Sequence, residues 1–182
     1  MKYKFIAEQI NYDGSELKPL YAYVNHKLHG DSIVSFIGSC DVSLKHMVDA
    51  EDFVVQAKIK SDKMLHFIVE IFGQNLMTAV SLQRLLVSIV QIMLLEKGHL
   101  LKRTGDDLYF GNKKLSVSIA SCSTVSSMIH LGLNVGNEGT PVATCALNDF
   151  GIEAAQFSKD LMQRFSEEYK SIIEAAQKVR PL

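Results

Sequence analysis

The sequence lacks the features that would assign the protein to several broad classes. Nineteen lysines and arginines almost balance twenty aspartates and glutamates, and the formal net charge is −1, so no strong field favours nucleic acid or a membrane surface. The three cysteines, Cys40, Cys122 and Cys145, form no Cys-x-x-Cys pair, which is typical of reduced thiols. We therefore expect a cytoplasmic protein that binds neither nucleic acid nor membrane.

No targeting segment, repeat or low-complexity tract is visible in the sequence. The N-terminus, Met1–Phe5, carries charge without a continuous apolar stretch. The longest apolar run, Leu85–Leu95, contains Ser88 and Gln91 and is expected to be too short and too polar to cross a bilayer. Because 182 residues are enough for one sizeable core, we predict a single domain over residues 1–182.

The hydrophobic pattern that is present predicts an α+β fold. Strands are expected at Tyr3–Ala7, Ser32–Ile37, Val54–Lys60, Met64–Phe72 and Ser126–Val135. A long apolar helix is expected from Ser81 to Lys97, with Ser81 as its cap and Gly98 at its end. Further helices are expected at Leu44–Phe53 and between Asp149 and Lys178. The pattern therefore predicts a mixed or antiparallel sheet backed by two long helices.

A short hairpin is the most informative local feature. Leu108–Phe110 is apolar and aromatic, and Gly111-Asn112 is a two-residue turn signal. The turn brings Asp107, just before the first strand, near Lys114 on the second. A carboxylate and an ammonium on one hairpin can bind a metal-nucleotide phosphate and the group that attacks it. An exposed surface ion pair is the alternative interpretation.

Four segments in register resemble the catalytic core of biotin and lipoate protein ligases. They are the apolar helix Ser81–Lys97, the run Arg103–Asp107, the pair Lys114-Leu115, and Gly132-Leu133-Asn134-Val135. The whole chain also resembles a prokaryotic family known as domain of unknown function 366 (DUF366), whose fold is of this type. The resemblance implies a class II synthetase-like fold. It also implies ATP-dependent activation or transfer of a carboxylic acid.

The resemblance further implies roles for individual residues. Lys114 would be the catalytic cation that contacts both the acid and the phosphate, and Asp107 would face ATP and Mg²⁺. The remaining substrate- or nucleotide-binding residues implied are Arg103, Asp106, Ser116, Gly132 and Asn134. The implied partners are a small carboxylic acid or acyl ligand and an acceptor protein, and edge strands of this fold are expected to allow a homodimer.

Departures from the ligase pattern leave two alternatives open. No glycine- and arginine-rich loop is found between Asn25 and Ser43, so one alternative is a non-catalytic module that binds a small ligand, or a partner subunit. Octanoyl transferases share the fold and use a cysteine, for which Cys145 is the candidate, activated by Lys114; burial of this thiol is the competing interpretation. His26 and His29 lack a third metal ligand, and His130 is expected to be a satisfied sheet residue.

Overall fold

The computed structural model describes residues 1–181 and contains two sheets. The larger sheet has the strand order β1-β2-β3-β8-β7, with β1 parallel to β2 and the other pairs antiparallel. Its strands are β1 (Lys2–Phe5), β2 (Ser32–Val42), β3 (Ile59–Phe72), β7 (Ser116–Cys122) and β8 (Ser126–Asn134). The smaller sheet consists of β4 (Lys102–Thr104), β5 (Asp107–Phe110) and β6 (Lys113–Lys114). The predicted mixed sheet is confirmed.

Four helices accompany the sheets: α1 (Tyr21–His26), α2 (Ala50–Val55), α3 (Leu76–Glu96) and α4 (Ala154–Gln177). The two long helices, α3 and α4, pack on one face of the large sheet, which confirms the predicted arrangement. No helix was predicted at the position of α1. That helix is only six residues long, and Leu20 and Lys27 at its ends both adopt the left-handed conformation without a side-chain cap.

Residues of β3 alternate between two separate cores. Leu65, Phe67, Val69 and Ile71 face α3 and α4. Met64 and Ile68 belong to a second core on the opposite face, together with residues of the N-terminal segment and α1: Ile6, Tyr12, Tyr21 and Ala22. Because successive side chains of a strand point to opposite faces, this central strand is buried on both sides. A cavity lies on this second face, with residues of α2 in its lining.

The helix α3 begins earlier than the sequence suggested. Its cap is Asn75, whose side-chain oxygen accepts a hydrogen bond from the Thr78 N–H at 2.9 Å, whereas the Ser81 hydroxyl donates to the Met77 carbonyl inside the helix. Predicting Ser81 as the cap was therefore wrong, while the end before Gly98 is confirmed. At 21 residues, α3 is long and apolar enough to cross a membrane by length and composition. Since it buries nine residues, chiefly against the large sheet, it has the packing of a core helix.

The connection from β2 to β3 also departs from the prediction. Leu44–His46 forms a short 3-10 turn and α2 follows at Ala50, so the single helix predicted over Leu44–Phe53 is split. The predicted strand Val54–Lys60 is wrong at its start, because Val54 and Val55 end α2 and β3 begins at Ile59. The physical reason is the cap Asp49, whose carboxylate accepts hydrogen bonds from the two N–H groups of Glu51 and Asp52. This local cap outweighs the strand preference of two adjacent valines.

The N-terminal segment lies directly on β2. A side chain at Gly38 would collide with the Ile10 carbonyl, so glycine permits this close approach. The backbone N–H of Tyr12 then donates to the Ser39 carbonyl at 2.8 Å, and the Asp41 N–H donates back to Tyr12 at 2.9 Å. These contacts fix Tyr12 over the second face of the sheet.

Candidate functional site

The predicted hairpin forms and brings its two charged residues together. Gly111 adopts a positive φ of 60° in the turn, and Tyr109 pairs with Lys114 across β5 and β6. The Lys114 Nζ lies 2.9 Å from Asp107 Oδ2, with 29% and 25% of the two side chains exposed. The Tyr109 hydroxyl donates to the same carboxylate oxygen at 3.3 Å. The two residues thus form a half-buried ion pair on a rigid hairpin.

This ion pair lines one end of a cavity of about 420 Å³ on the second face of the sheet. A cavity of this size is in the range of small-molecule sites. Its floor comes from the sheet and the N-terminal segment: Tyr12, Met64, Val117 and His130. One wall is the β2–β3 connection, with Met47, Val48, Ala57 and Lys58, and the opposite wall is formed by Thr140, Pro141, Val142 and Thr144. Within the described residues 1–181, no arginine lines this cavity.

Two residues grouped with this site by resemblance occupy different environments. Asp106 lines the cavity, but Arg84 Nη1 lies 3.1 Å from its Oδ1, and the Gln83 side-chain amide donates to its Oδ2 at 2.9 Å. Its carboxylate is therefore tied to α3. Arg103 does not line the cavity; its exposed guanidinium donates to the Gly105 carbonyl at 2.8 Å. The structure does not bring Arg103 to a ligand position beside Lys114.

Asn134 lies at the edge of the cavity and holds its end together. Its buried side-chain amide donates to the carbonyl of Lys114 at 3.2 Å and to that of Cys145 at 3.3 Å. Ser116 is also buried and lines the cavity, and its hydroxyl oxygen accepts from the Leu108 N–H at 2.9 Å. Both residues fix the backbone around Lys114. The carbonyl oxygen of the Asn134 side chain remains for a ligand.

Gly132 has a packing role in the structure. A Cβ added at this position would lie 2.9 Å from Met64 Cε and 3.2 Å from Val117 Cγ2. Since the residue itself is not part of the cavity lining, it allows its neighbours on β3 and β7 to close over β8. We find no ligand-facing group at this residue.

Cys145 is placed unfavourably for nucleophilic catalysis. It is 2% exposed, does not line the cavity, and its Sγ lies 3.5 Å from the Lys113 carbonyl. Burial raises the pKa of this thiol, whereas a cysteine nucleophile needs a lowered pKa and access to substrate. The interpretation of Cys145 as a buried packing residue fits the structure better than a role as an acyl acceptor.

The cavity floor contains polar side chains to which the sequence analysis gave no role at the site: His130 was expected only as a sheet residue, and it lies in β8 and also lines the cavity. Tyr12 stacks on His130 with ring centroids 3.9 Å apart and planes 6° apart, and His66 Nδ1 lies 3.1 Å from His130 Nε2. Burial lowers the pKa of His66 to about 4 and that of His130 well below its ordinary value, so both rings are neutral near pH 7. The only signal in the sequence is that each histidine interrupts an otherwise apolar strand.

Comparison with known proteins identifies the family. The family described as "Domain of unknown function (DUF366)" matches residues 1–180. The chain belongs to the DUF366 family. A relative of this DUF366 chain, "Uncharacterized protein MJ0805" of Methanocaldococcus jannaschii, is 37% identical over 185 residues, covering 98% of this chain and 84% of the relative.

Solved structures show the same fold. "Protein of Unknown Function from Pyrococcus horikoshi" superposes with a TM-score of 0.95 at 37% identity, covering both chains completely. Biotin protein ligase from Aquifex aeolicus in complex with biotin and ATP gives a TM-score of 0.60 at 13% identity, covering 95% of this chain and 72% of the ligase. Ta0514 from T. acidophilum with bound lipoic acid gives 0.58 at 13%, covering 92% and 86%. The DUF366 chain therefore has a biotin/lipoate protein ligase-like fold.

Proposed function

We propose that this DUF366 protein binds a small carboxylic acid in the cavity and activates it with ATP. The observation that carries the proposal is the Lys114–Asp107 pair at the end of a cavity of ligand size. Support also comes from the fold, which is shared with a ligase that binds biotin and ATP. Because a fold does not fix an activity, the argument rests on the side chains of the site.

In the proposed reaction the acid lies with its carboxylate against the Lys114 ammonium. A carboxylate oxygen attacks the α-phosphorus of ATP, the bond to the leaving phosphate breaks, and pyrophosphate departs, giving an acyl-adenylate. Both reactants are anionic, so a preorganised cation that contacts both lowers the barrier where water is excluded. The hydrogen bonds from the Lys114 N–H to the Ala143 carbonyl and from the Asn134 side-chain amide to the Lys114 carbonyl hold the backbone that carries this cation.

A divalent cation fits the charge of the site. Five carboxylates and three lysines line the cavity: Asp49, Glu51, Asp52, Asp106, Asp107, and Lys58, Lys60, Lys114. An ATP triphosphate would meet this acidic lining more favourably with its charge reduced by Mg²⁺. Residues 1–181 contain no cluster of three or more side chains suited to hold a metal alone. Mg²⁺ commonly uses one or two carboxylates together with substrate phosphates, and Asp107 would supply the protein oxygen.

Exchange of labelled pyrophosphate into ATP tests this proposal. Exchange that depends on an added carboxylic acid and is lost in Lys114→Ala would support acid activation, with Lys113→Ala as the matched neighbour. Absence of exchange for a broad set of acids, each shown to bind by calorimetry, would refute activation. An acceptor protein, a homodimer, cytoplasmic localisation and a single domain remain predictions of the same proposal.

A non-catalytic ligand-binding role is the second candidate. It is favoured by the lining of the cavity, which contains no arginine within residues 1–181 to clamp phosphate groups. Tight acid binding that is unchanged by ATP would support this role. Acid binding strengthened by ATP and Mg²⁺ would instead support activation, since two ligands that contact one another bind cooperatively.

A further inference from the structure

The end of the cavity away from Lys114 contains polar groups that no step of the proposed reaction uses. Tyr12 and His130 line the cavity there, stacked ring on ring. The Tyr12 hydroxyl and His130 Nδ1 have no hydrogen-bond partner within residues 1–181, and neither is among the fully buried polar atoms that lack one. Each side chain as a whole is at most 3% exposed and lines the cavity, so these two atoms can be reached from the cavity. Polar groups that line a cavity without a protein partner are available to hydrogen-bond a ligand with polar groups of its own.

The contact between the two histidines limits the hydrogen bonding that His130 can offer to that ligand. A neutral imidazole has one N–H and one lone pair, and the 3.1 Å contact uses Nδ1 of His66 and Nε2 of His130. If His130 Nε2 donates in this contact, His130 Nδ1 has a lone pair and accepts. If Nε2 accepts, Nδ1 carries the hydrogen and donates. His130 Nδ1 therefore offers the ligand either one donor or one acceptor, according to which histidine donates in this contact, and His66 acts as a positioning residue.

The two ends of the cavity are close enough for one small molecule to reach both. Asn134, beside Lys114, and His130 are four residues apart on β8. At ~3.3 Å per residue this separation is ~13 Å. An acid with a carboxylate at one end and a polar group at the other therefore fits, with the apolar Met64 and Val117 beside its middle.

We propose that Tyr12 and His130 determine substrate specificity, selecting an acid whose far end is an uncharged hydrogen-bonding group rather than a plain hydrocarbon tail. This inference rests on the proposed function, because it takes the carboxylate of the acid to lie at Lys114. A hydrocarbon end placed against Tyr12 and His130 would remove the hydroxyl and the ring nitrogen from water without giving either a hydrogen-bond partner. A ligand that leaves such polar groups without a hydrogen-bond partner binds more weakly than one that pairs them.

Two matched probes test the inference by calorimetry on the full chain: 7-carbamoylheptanoic acid and octanoic acid, which differ at the far end only. The carbamoyl acid should bind about tenfold more tightly, which corresponds to about 1.4 kcal/mol. Tyr12→Phe removes one hydroxyl without changing the ring and should reduce this ratio, as should His130→Phe. His99→Phe, outside the cavity against Phe150, is the control and should leave the ratio unchanged.

The other outcomes distinguish failure of this inference from failure of the proposed function. Equal or tighter binding of octanoic acid, with both acids weakened in Lys114→Ala, would overturn the inference and leave the proposed function standing. An unchanged ratio in folded Tyr12→Phe and His130→Phe would overturn it as well. If neither acid bound the wild-type protein, the inference would be overturned, and the proposed function would fail with it only if no other carboxylic acid bound. Because the readout is a ratio, a general loss of stability in a variant does not imitate the expected result.

Discussion

Replacing Lys114 with alanine separates the contribution of this side chain to binding from its contribution to folding. The ammonium lies 2.9 Å from Asp107 Oδ2, and about a quarter of each side chain is exposed. An ion pair in contact with solvent contributes about 0 to 1 kcal/mol to stability, and the Tyr109 hydroxyl stays on Asp107 after the change. We therefore expect Lys114→Ala to lower the free energy of unfolding by about 1 kcal/mol or less.

The expected effect on binding is larger. A charge-assisted hydrogen bond lost from a ligand costs about 1.5 to 3 kcal/mol, equivalent to roughly 10- to 150-fold in dissociation constant. Calorimetry with a sulfamoyl analogue of an acyl-adenylate measures this loss, and urea unfolding measures stability. Lys113→Ala is the matched control, because Lys113 is the preceding residue on β6 and is exposed. Equal affinity of the Lys114→Ala and wild-type proteins would refute the placement of the ligand.

Three further predictions concern the core, the thiols and the histidines. Leu86→Ala should lower the free energy of unfolding by about 2 to 5 kcal/mol, because Leu86 is fully buried, while the half-exposed Leu95 on the same helix should tolerate alanine in urea titrations. Iodoacetamide should label exposed Cys122 in the native protein and buried Cys145 only on unfolding, and fast labelling of Cys145 would restore the transferase alternative. The free energy of unfolding should fall as the pH drops from about 6.5 to about 4. Burial lowers the pKa of His66 to about 4 in the folded protein, so in this range the unfolded chain binds a proton that the folded chain does not. A stability profile that is flat over this pH range would contradict the buried neutral histidines.

The parts of the fold that the sequence predicted are those with local determinants. The hairpin depends on the Gly111-Asn112 turn, and its two-residue length places Asp107 and Lys114 near one another without knowledge of the sheet order. The helix α3 was found from its apolar periodicity, although its true cap lay six residues earlier, at Asn75. Val54 and Val55 were predicted to begin a strand because valine favours strands, but this preference is weak. The capping of α2 by Asp49 outweighs it.

The floor of the cavity depends on contacts between distant parts of the chain. Tyr12, His66 and His130 come from the N-terminal segment, β3 and β8, and they meet because β8 pairs with β3 in the register that places His66 opposite Gly132. Neither composition nor spacing reveals that register. Cys145 was ambiguous for the same reason: its two interpretations differ only in burial, which tertiary packing determines.

The two-sided burial of β3 has a consequence for how this protein can change. Its odd-numbered positions, such as Leu65 and Phe67, face the helices, while even-numbered Met64 and His66 face the cavity side. Substitutions at odd positions therefore disturb the packing against α3 and α4, whereas those at even positions disturb the second core and, at Met64, the floor of the cavity. A change at Met64 can therefore reshape the cavity while the core packed against the helices keeps its residues, which makes this position a starting point for redesign.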